Sequence, residues 1–282
     1  MRLHFRDYGP DGEMSGARRP PVICLHGLTR NARDFAGLAQ HLARQGWRVV
    51  VPDMRGRGES QYAGDSGTYT VARYVDDLAA LREQEGIDRY IAVGTSMGGL
   101  MTLAQAMVDP RPIVATVLND IGPVVEPAGL AHIMGYVGQG GTYATWMHAA
   151  RALEEKHAEA HPQFTLDDWL AMAKRTMTVV NNGRIAFDYD MKIADPLRAA
   201  DGASAAAPPD LWVGLDALGQ RPLLVIRGAS SNLLSEATAL EMQRRCGSAA
   251  VVTIADTGHA PTLDEPEARA AIDALLAGVA QD

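Results

Sequence analysis

The spacing of apolar residues divides the chain into three stretches. Between residues 2 and 120, short apolar runs alternate with segments whose apolar positions recur at helical spacing. "RLHFRDYG" (2–9) alternates apolar and polar positions, as an edge strand does, and "PVICLHG" (21–27) predicts a short buried strand ending in glycine. "RDFAGLAQHLARQG" (33–46) has apolar residues at 35, 38, 39 and 42 and stops at Gly46, which predicts an amphipathic helix. Strands are predicted at "WRVVVPD" (47–53), "RYIAVG" (89–94) and "PIVATVLND" (112–120), with helices at 70–86 and 98–109 between them.

From 122 to about 215 this rhythm breaks. Helical segments are predicted at 127–137, 142–160 and 165–180, with no clear buried strand between them, and "AADGASAAAPPD" (199–210) reads as a linker. The alternation resumes with "PLLVIRG" (222–228), a helix over 233–246, the strand "AAVVTIAD" (249–256) and a helix over 264–278. Strands alternating with helices of this length imply an α/β protein, a parallel sheet with helices on both faces joined by right-handed crossovers. Residues 1–121 and 216–282 are expected to form that core, and 122–215 a mainly helical cap. A cap there would roof the strand ends where open α/β sheets bind ligands.

The chain has 282 residues, 47% of them apolar, enough for one large domain carrying an insertion. A net charge of −8 argues against a nucleic-acid partner, which needs a basic face. Two cysteines make no disulfide framework: Cys24 sits in an apolar run and Cys246 near a helix end, which suits a reducing compartment. The N-terminal "MRLHFRDYGPDG" has no apolar signal-peptide core, and no stretch reaches transmembrane length. A cytoplasmic monomer or homodimer with a small-molecule substrate, no membrane partner and no cofactor is the expectation.

The chemistry enters at "GTSMGG" (94–99), a serine with glycine two places to either side, between a strand and a helix. On a tight strand-to-helix turn, Ser96 must adopt a sparsely populated backbone conformation to lift its hydroxyl out of the sheet. The strand and helix then crowd the flanking positions, and only small residues fit. A nucleophile of this kind needs backbone N–H donors for the oxyanion of its tetrahedral intermediate. The N–H of Met97 and that of Leu28, in the loop after "HG" (26–27), are the candidates. A general base is also needed. Of eight histidines, His259 in "DTGHAPTLDEPE" (256–267) follows the last strand on a loop that can reach back to Ser96. His4, His41, His148, His157 and His161 read as surface or packing residues. His132, Trp146 and Trp169 in the cap are candidates for the substrate pocket, as are Met134 and Met172.

Together "HGLTRNARDF" (26–35), "PDMRGRGES" (52–60), "GTSMGG", "LNDIGP" (118–123), "LLVIRGASSNLLS" (223–235) and "TGHAPTLDEPE" (257–267) resemble an α/β-hydrolase-fold serine hydrolase of the esterase/lactonase kind. The resemblance spans nearly the whole chain outside the cap. It implies a mostly parallel eight-stranded sheet, the order nucleophile, acid, histidine, and loop-bracing roles for Asp53 and Arg55. It also implies an aspartate in a loop of the form R-G-x-x-S-D, where this chain carries Asn232. An amide there offers no negative charge to an imidazolium. In serine proteases that replacement lowers turnover about 10⁴-fold, roughly 5 kcal/mol of barrier.

Three readings stay open. Asp120, at the end of the strand beside the nucleophile strand, supplies the acid; or Asn232 is an introduced replacement that slows turnover; or the chain is a natural member of low activity. The two histidines of "HAEAH" (157–161) stand at i, i+4, a spacing that can hold zinc, but no third ligand is evident and no metal is expected. Asp76 and Asp77 read as a solvated helix face. The functions in view are hydrolysis of an ester, lactone or thioester through an acyl-enzyme, hydrolysis of a C–C bond in a diketone or ring-cleavage product, and ligand binding on an inactive hydrolase fold.

Overall fold

The computed structural model describes residues 1–9, 19–202 and 209–279. The core runs β1 (Phe5–Tyr8), β2 (Val22–Leu25), α1 (Ala36–Arg44), β3 (Val49–Pro52), α2 (Val71–Gln84), β4 (Tyr90–Thr95), α3 (Met97–Val108) and β5 (Ile113–Asn119). The cap follows with α4 (Pro127–Met134), β6 (Thr142–Tyr143), α5 (Trp146–His157), α6 (Leu166–Thr176), β7 (Met177–Val179), β8 (Ile185–Phe187) and α7 (Asp195–Gly202). The chain then returns through α8 (Trp212–Leu218), β9 (Leu223–Gly228), α9 (Glu236–Arg245), β10 (Ala249–Ile254) and α10 (Pro266–Ala277). The sheet order is β1-β3-β2-β4-β5-β9-β10, with β1 antiparallel to β3 and the other pairs parallel. That is seven strands among the described residues, one fewer than the eight expected.

Strand residues alternate between two apolar layers, as the two-residue period of a strand requires. Ile23, Leu25, Val50, Ala92, Leu118 and Val225 belong to one layer. Val22, Cys24, Val49, Val51, Val93 and Ile226 belong to the other. With both faces covered by helices, the strands read as continuous apolar runs, and β2 and β3 are buried at every position. Cys24 and Cys246 are buried thiols, and burial raises the pKa of each.

The cap departs from a purely helical insertion. β6, β8 and β7 form a small antiparallel sheet, against which α5 and α6 pack through Leu153, Trp169, Met172 and Ile185. Strands of two or three residues are too short for a period to register. The core also resumes earlier than residue 216. Leu215 and Leu218 of α8 join the main apolar layer, and a Cβ on Gly214 would run into the carbonyl oxygen of Leu103 in α3. Most of the expected linker at 199–210 lies outside the described residues. No helix among them is long and apolar enough to cross a membrane.

Candidate active site

The loops after β2, β4, β5, β9 and β10 all leave from the C-terminal edge of the parallel strands, so the fold gathers them at one rim. Ser96 links β4 to α3 at φ 51° and ψ −113°, a left-handed conformation rarely adopted by residues other than glycine. Its N–H donates to the carbonyl of Asn119 at 3.0 Å. Space around it is closed to larger residues: a Cβ on Gly94 would stand 2.5 Å from backbone atoms of Gly98 and Gly99, and one on Gly98 would meet the carbonyl oxygen of Leu25. Gly94 and Gly98 are therefore steric requirements of lifting a hydroxyl out of a crossing of strand and helix, and a Cβ on Gly99 would run into the Ile121 side chain.

The structure brings Ser96, His259 and Asp120 into one line. Ser96 Oγ lies 2.9 Å from His259 Nε2, and His259 Nδ1 lies 2.8 Å from Asp120 Oδ2. An ionised carboxylate only accepts, so Nδ1 carries the proton and Nε2 is left to accept from the serine hydroxyl. Asp120 is fully buried and sits at φ 55° just past β5. Its Oδ1 accepts from the Gly228 N–H at 2.8 Å, and its Oδ2 also accepts from Ser231 Oγ at 2.6 Å. With three donors around it, the buried charge is well compensated.

Asn232 stands elsewhere. It is exposed, borders the cavity and makes no hydrogen bond to His259. The expectation that residue 232 faces the imidazole is thereby corrected. The β9 loop turns on Ser231, whose hydroxyl accepts from the N–H groups of Leu233 and Leu234 while donating to Asp120. That loop supports a carboxylate that comes from β5. Asn119 adds a cross-brace, donating through Nδ2 to Thr95 Oγ1 at 3.0 Å and to the Pro261 carbonyl at 2.9 Å, and so ties the serine turn to the histidine loop.

Leu28 borders the cavity. Met97 opens α3, where the first N–H groups have no partner within the helix. The fully buried Arg57 braces both. Its Nε donates to the Leu28 carbonyl at 2.9 Å, its Nη2 meets Met97 Sδ at 3.6 Å, and its Nη1 donates to the Arg55 carbonyl and Tyr74 hydroxyl. His26, beneath the same loop, spans the Gly27 carbonyl and the Met54 N–H. Burial, helped by the charge of Arg57, lowers its pKa to about 4, so it serves as a neutral strut. Asp53 accepts from the N–H groups of Ala32 and Glu59, and Arg55 forms a two-pronged pair with Asp77 at 2.6 Å. Asp77 is thus engaged with the core, while Asp76 remains on the exposed face with Arg73.

Over this rim lies a cavity of about 450 Å³ between core and cap. Its wall includes Ser96, His259, Leu28 and, from the cap, His132, Met172 and Phe187. Trp146 and Trp169 do not reach it. Trp169 is 1% exposed in the cap's own apolar centre, and Trp146 packs beside it. Met134 packs against the main core. His157 and His161, expected on surface or packing faces, instead line the cavity together with Arg30 and Arg175. Burial first, then the charge of Arg30, lowers His157 to about 4 and His161 to about 3. Sequence spacing gives no sign of these residues, because the cap's path over the core decides what they face. No cluster of metal-ligating side chains forms among the described residues.

Residues 20–266 match the family described as the alpha/beta hydrolase fold. The chain is 33% identical over 268 residues to the 3-hydroxybutyrate-oligomer hydrolase of Cupriavidus necator, covering 94% of this chain and 90% of that one. It is 26% identical over 260 residues to an esterase of Mycobacterium tuberculosis, covering 90% and 81%. Among solved structures, an alpha/beta hydrolase from Novosphingobium aromaticivorans superposes with a TM-score of 0.90 at 54% identity, covering 98% of this chain and 94% of that one.

Proposed function

The chain belongs to the α/β-hydrolase fold family and is a hydrolase, and from that premise we propose that it is a serine hydrolase of carboxylic esters working through an acyl-enzyme. The observation that carries this reading is the unbroken line from Ser96 Oγ through His259 to Asp120, with contacts of 2.9 and 2.8 Å.

In this reading Ser96 Oγ attacks the ester carbonyl as His259 Nε2 takes its proton. The oxyanion is held by the N–H groups of Leu28 and Met97. The imidazolium, steadied by Asp120, returns the proton to the leaving alkoxide as the C–O bond breaks. Water then attacks the acyl-serine with the same histidine as base, releasing the acid and regenerating Ser96. Every step is carried by groups of the chain itself. The Cupriavidus relative is by name a hydrolase of 3-hydroxybutyrate oligomers, and a hydroxy acid oligomerises through ester bonds; this supports esters over other acyl substrates. Lactones and thioesters offer the same acyl carbon to Ser96.

A fluorophosphonate probe is expected to label Ser96 in the wild type and not in Ser96→Ala, with turnover across a panel of short-chain esters. A folded wild type that resists labelling and leaves every ester intact would refute the assignment. Turnover of β-diketones in place of esters would move it to C–C bond hydrolysis. The inactive-binder reading rested on Asn232, which does not touch the histidine.

A further inference from the structure

We propose that Arg30 forms an anion subsite beside Ser96, and that the preferred ester carries a free carboxylate a short chain away from the scissile carbonyl. This rests on the ester-hydrolase reading and narrows its substrate.

Arg30 belongs to the loop that follows β2. The point where a Cβ on Gly27 would stand is 3.4 Å from Arg30 Cγ and 3.8 Å from Ser96 Cβ, so the arginine stem passes close to the nucleophile. The guanidinium is fixed by Asp34, with Nε to Oδ2 at 2.5 Å and Nη2 to Oδ1 at 2.8 Å. Burial alone would depress its pKa, but Asp34 outweighs this and the net shift is upward. A guanidinium has five N–H donors, and Asp34 takes two. Three are left on the side away from Asp34, and the side chain keeps 27% of its surface open at the cavity wall.

The surroundings favour an anion over a cation. Lys156 lines the same wall without an ion pair among the described residues, and Arg175, also lining it, reaches out to Asp264. The wall's own carboxylates are Asp34, held by Arg30, and Glu159, exposed in the turn just past α5. His157 and His161 stay neutral beside Arg30, so they contribute ring hydrogen-bonding groups and add no charge to the cavity. His161 is 5% exposed and stacks on Phe164, with ring centroids 4.4 Å apart. Nothing in the triad or the oxyanion loop calls for a partly free guanidinium at this place. A bidentate carboxylate is the ligand its fork fits.

The test compares 3-hydroxybutyrate dimer as the free acid with the same dimer as its methyl ester. The wild type is expected to prefer the acid by about 10- to 100-fold in kcat/KM, mostly through KM, the range of one charge-assisted contact. In Arg30→Met that preference collapses to near unity, and Arg30→Lys keeps part of it. Equal hydrolysis of both dimers by wild type, or an equal loss on both in Arg30→Met, overturns the subsite and makes Arg30 a brace of the oxyanion loop. A binding arm separates this from failure of the ester-hydrolase reading and does not require turnover. Calorimetry on Ser96→Ala is expected to detect 3-hydroxybutyrate but not its methyl ester, and binding is expected to vanish in Ser96→Ala/Arg30→Met. Circular dichroism checks that each variant is folded. A folded Ser96→Ala that binds neither compound, or both alike, refutes the subsite even if esters are cleaved.

Discussion

Asp120 and Asn232 differ in one respect that decides their chemistry: which of them meets the imidazole. Asp120 Oδ2 is 2.8 Å from His259 Nδ1, and the β9 loop that carries Asn232 spends its Gly228 N–H and Ser231 hydroxyl on Asp120. Asp120→Asn is therefore expected to lower kcat by roughly 10³- to 10⁴-fold with the fold intact, because an amide can donate to the imidazole and favour the wrong tautomer. Asn232→Asp is expected to change kcat by less than about fivefold, the scale of a partly screened charge near the site. A large gain from Asn232→Asp in steady-state ester hydrolysis would reverse the assignment. Ser96 and His259 were legible in the sequence because each is marked locally, by flanking glycines and by the loop after the last strand. The carboxylate partner of His259 was not, since residues 120 and 232 both follow a strand and only the approach of loops in space selects one. Arg57 was hidden for a related reason: its role is to reach Leu28 and Met97, and neither contact leaves a spacing in the sequence.

At the level of elements, the crossing of β4, α3 and β2 leaves the least room for a side chain among the described glycines. A methyl group on Gly98 would collide with the Leu25 carbonyl, a backbone atom of the neighbouring strand that cannot rotate away. Gly98→Ala is expected to destabilise the fold by about 3 kcal/mol or more and to lose Ser96 reactivity in the fraction that folds. Thermal melting and probe labelling read the two effects, and an unchanged melting temperature would show that α3 can shift. The core elements were readable because strand and helix periods differ and each run is bounded by glycine or proline. The small cap sheet was not, since β6 has two residues and β7 and β8 three each. Such strands exist because α5 and α6 cover them, a tertiary cause with no local signature.

For the whole molecule, three histidines are held in the neutral, singly protonated form, His26 and His161 buried and His157 half-buried. Desolvation pushes the pKa of His26 and His157 down to about 4 and that of His161 to about 3, against about 6.5 in an unfolded chain. The unfolded form therefore binds protons that the native form refuses. Stability from this source is complete above pH 6.5 and is lost as pH falls toward 4, with a slope of roughly 1 kcal/mol per pH unit for each histidine. Urea denaturation at pH 7.5, 5.5 and 4.5 is expected to give midpoints that drop steadily, before the carboxylates titrate. A flat midpoint between pH 7 and 5 would mean that water reaches these rings in the native state.

The cap is also fastened to the loop that carries His259. The Gly258 N–H donates to the Ala160 carbonyl at 2.6 Å, and Gln163 Nε2 donates to Thr257 Oγ1 at 3.3 Å. The turn joining α5 to α6 is thereby yoked to the residue just before the imidazole. An outward swing of that hairpin would therefore have to break both bonds or draw the His259 ring away from the Ser96 hydroxyl.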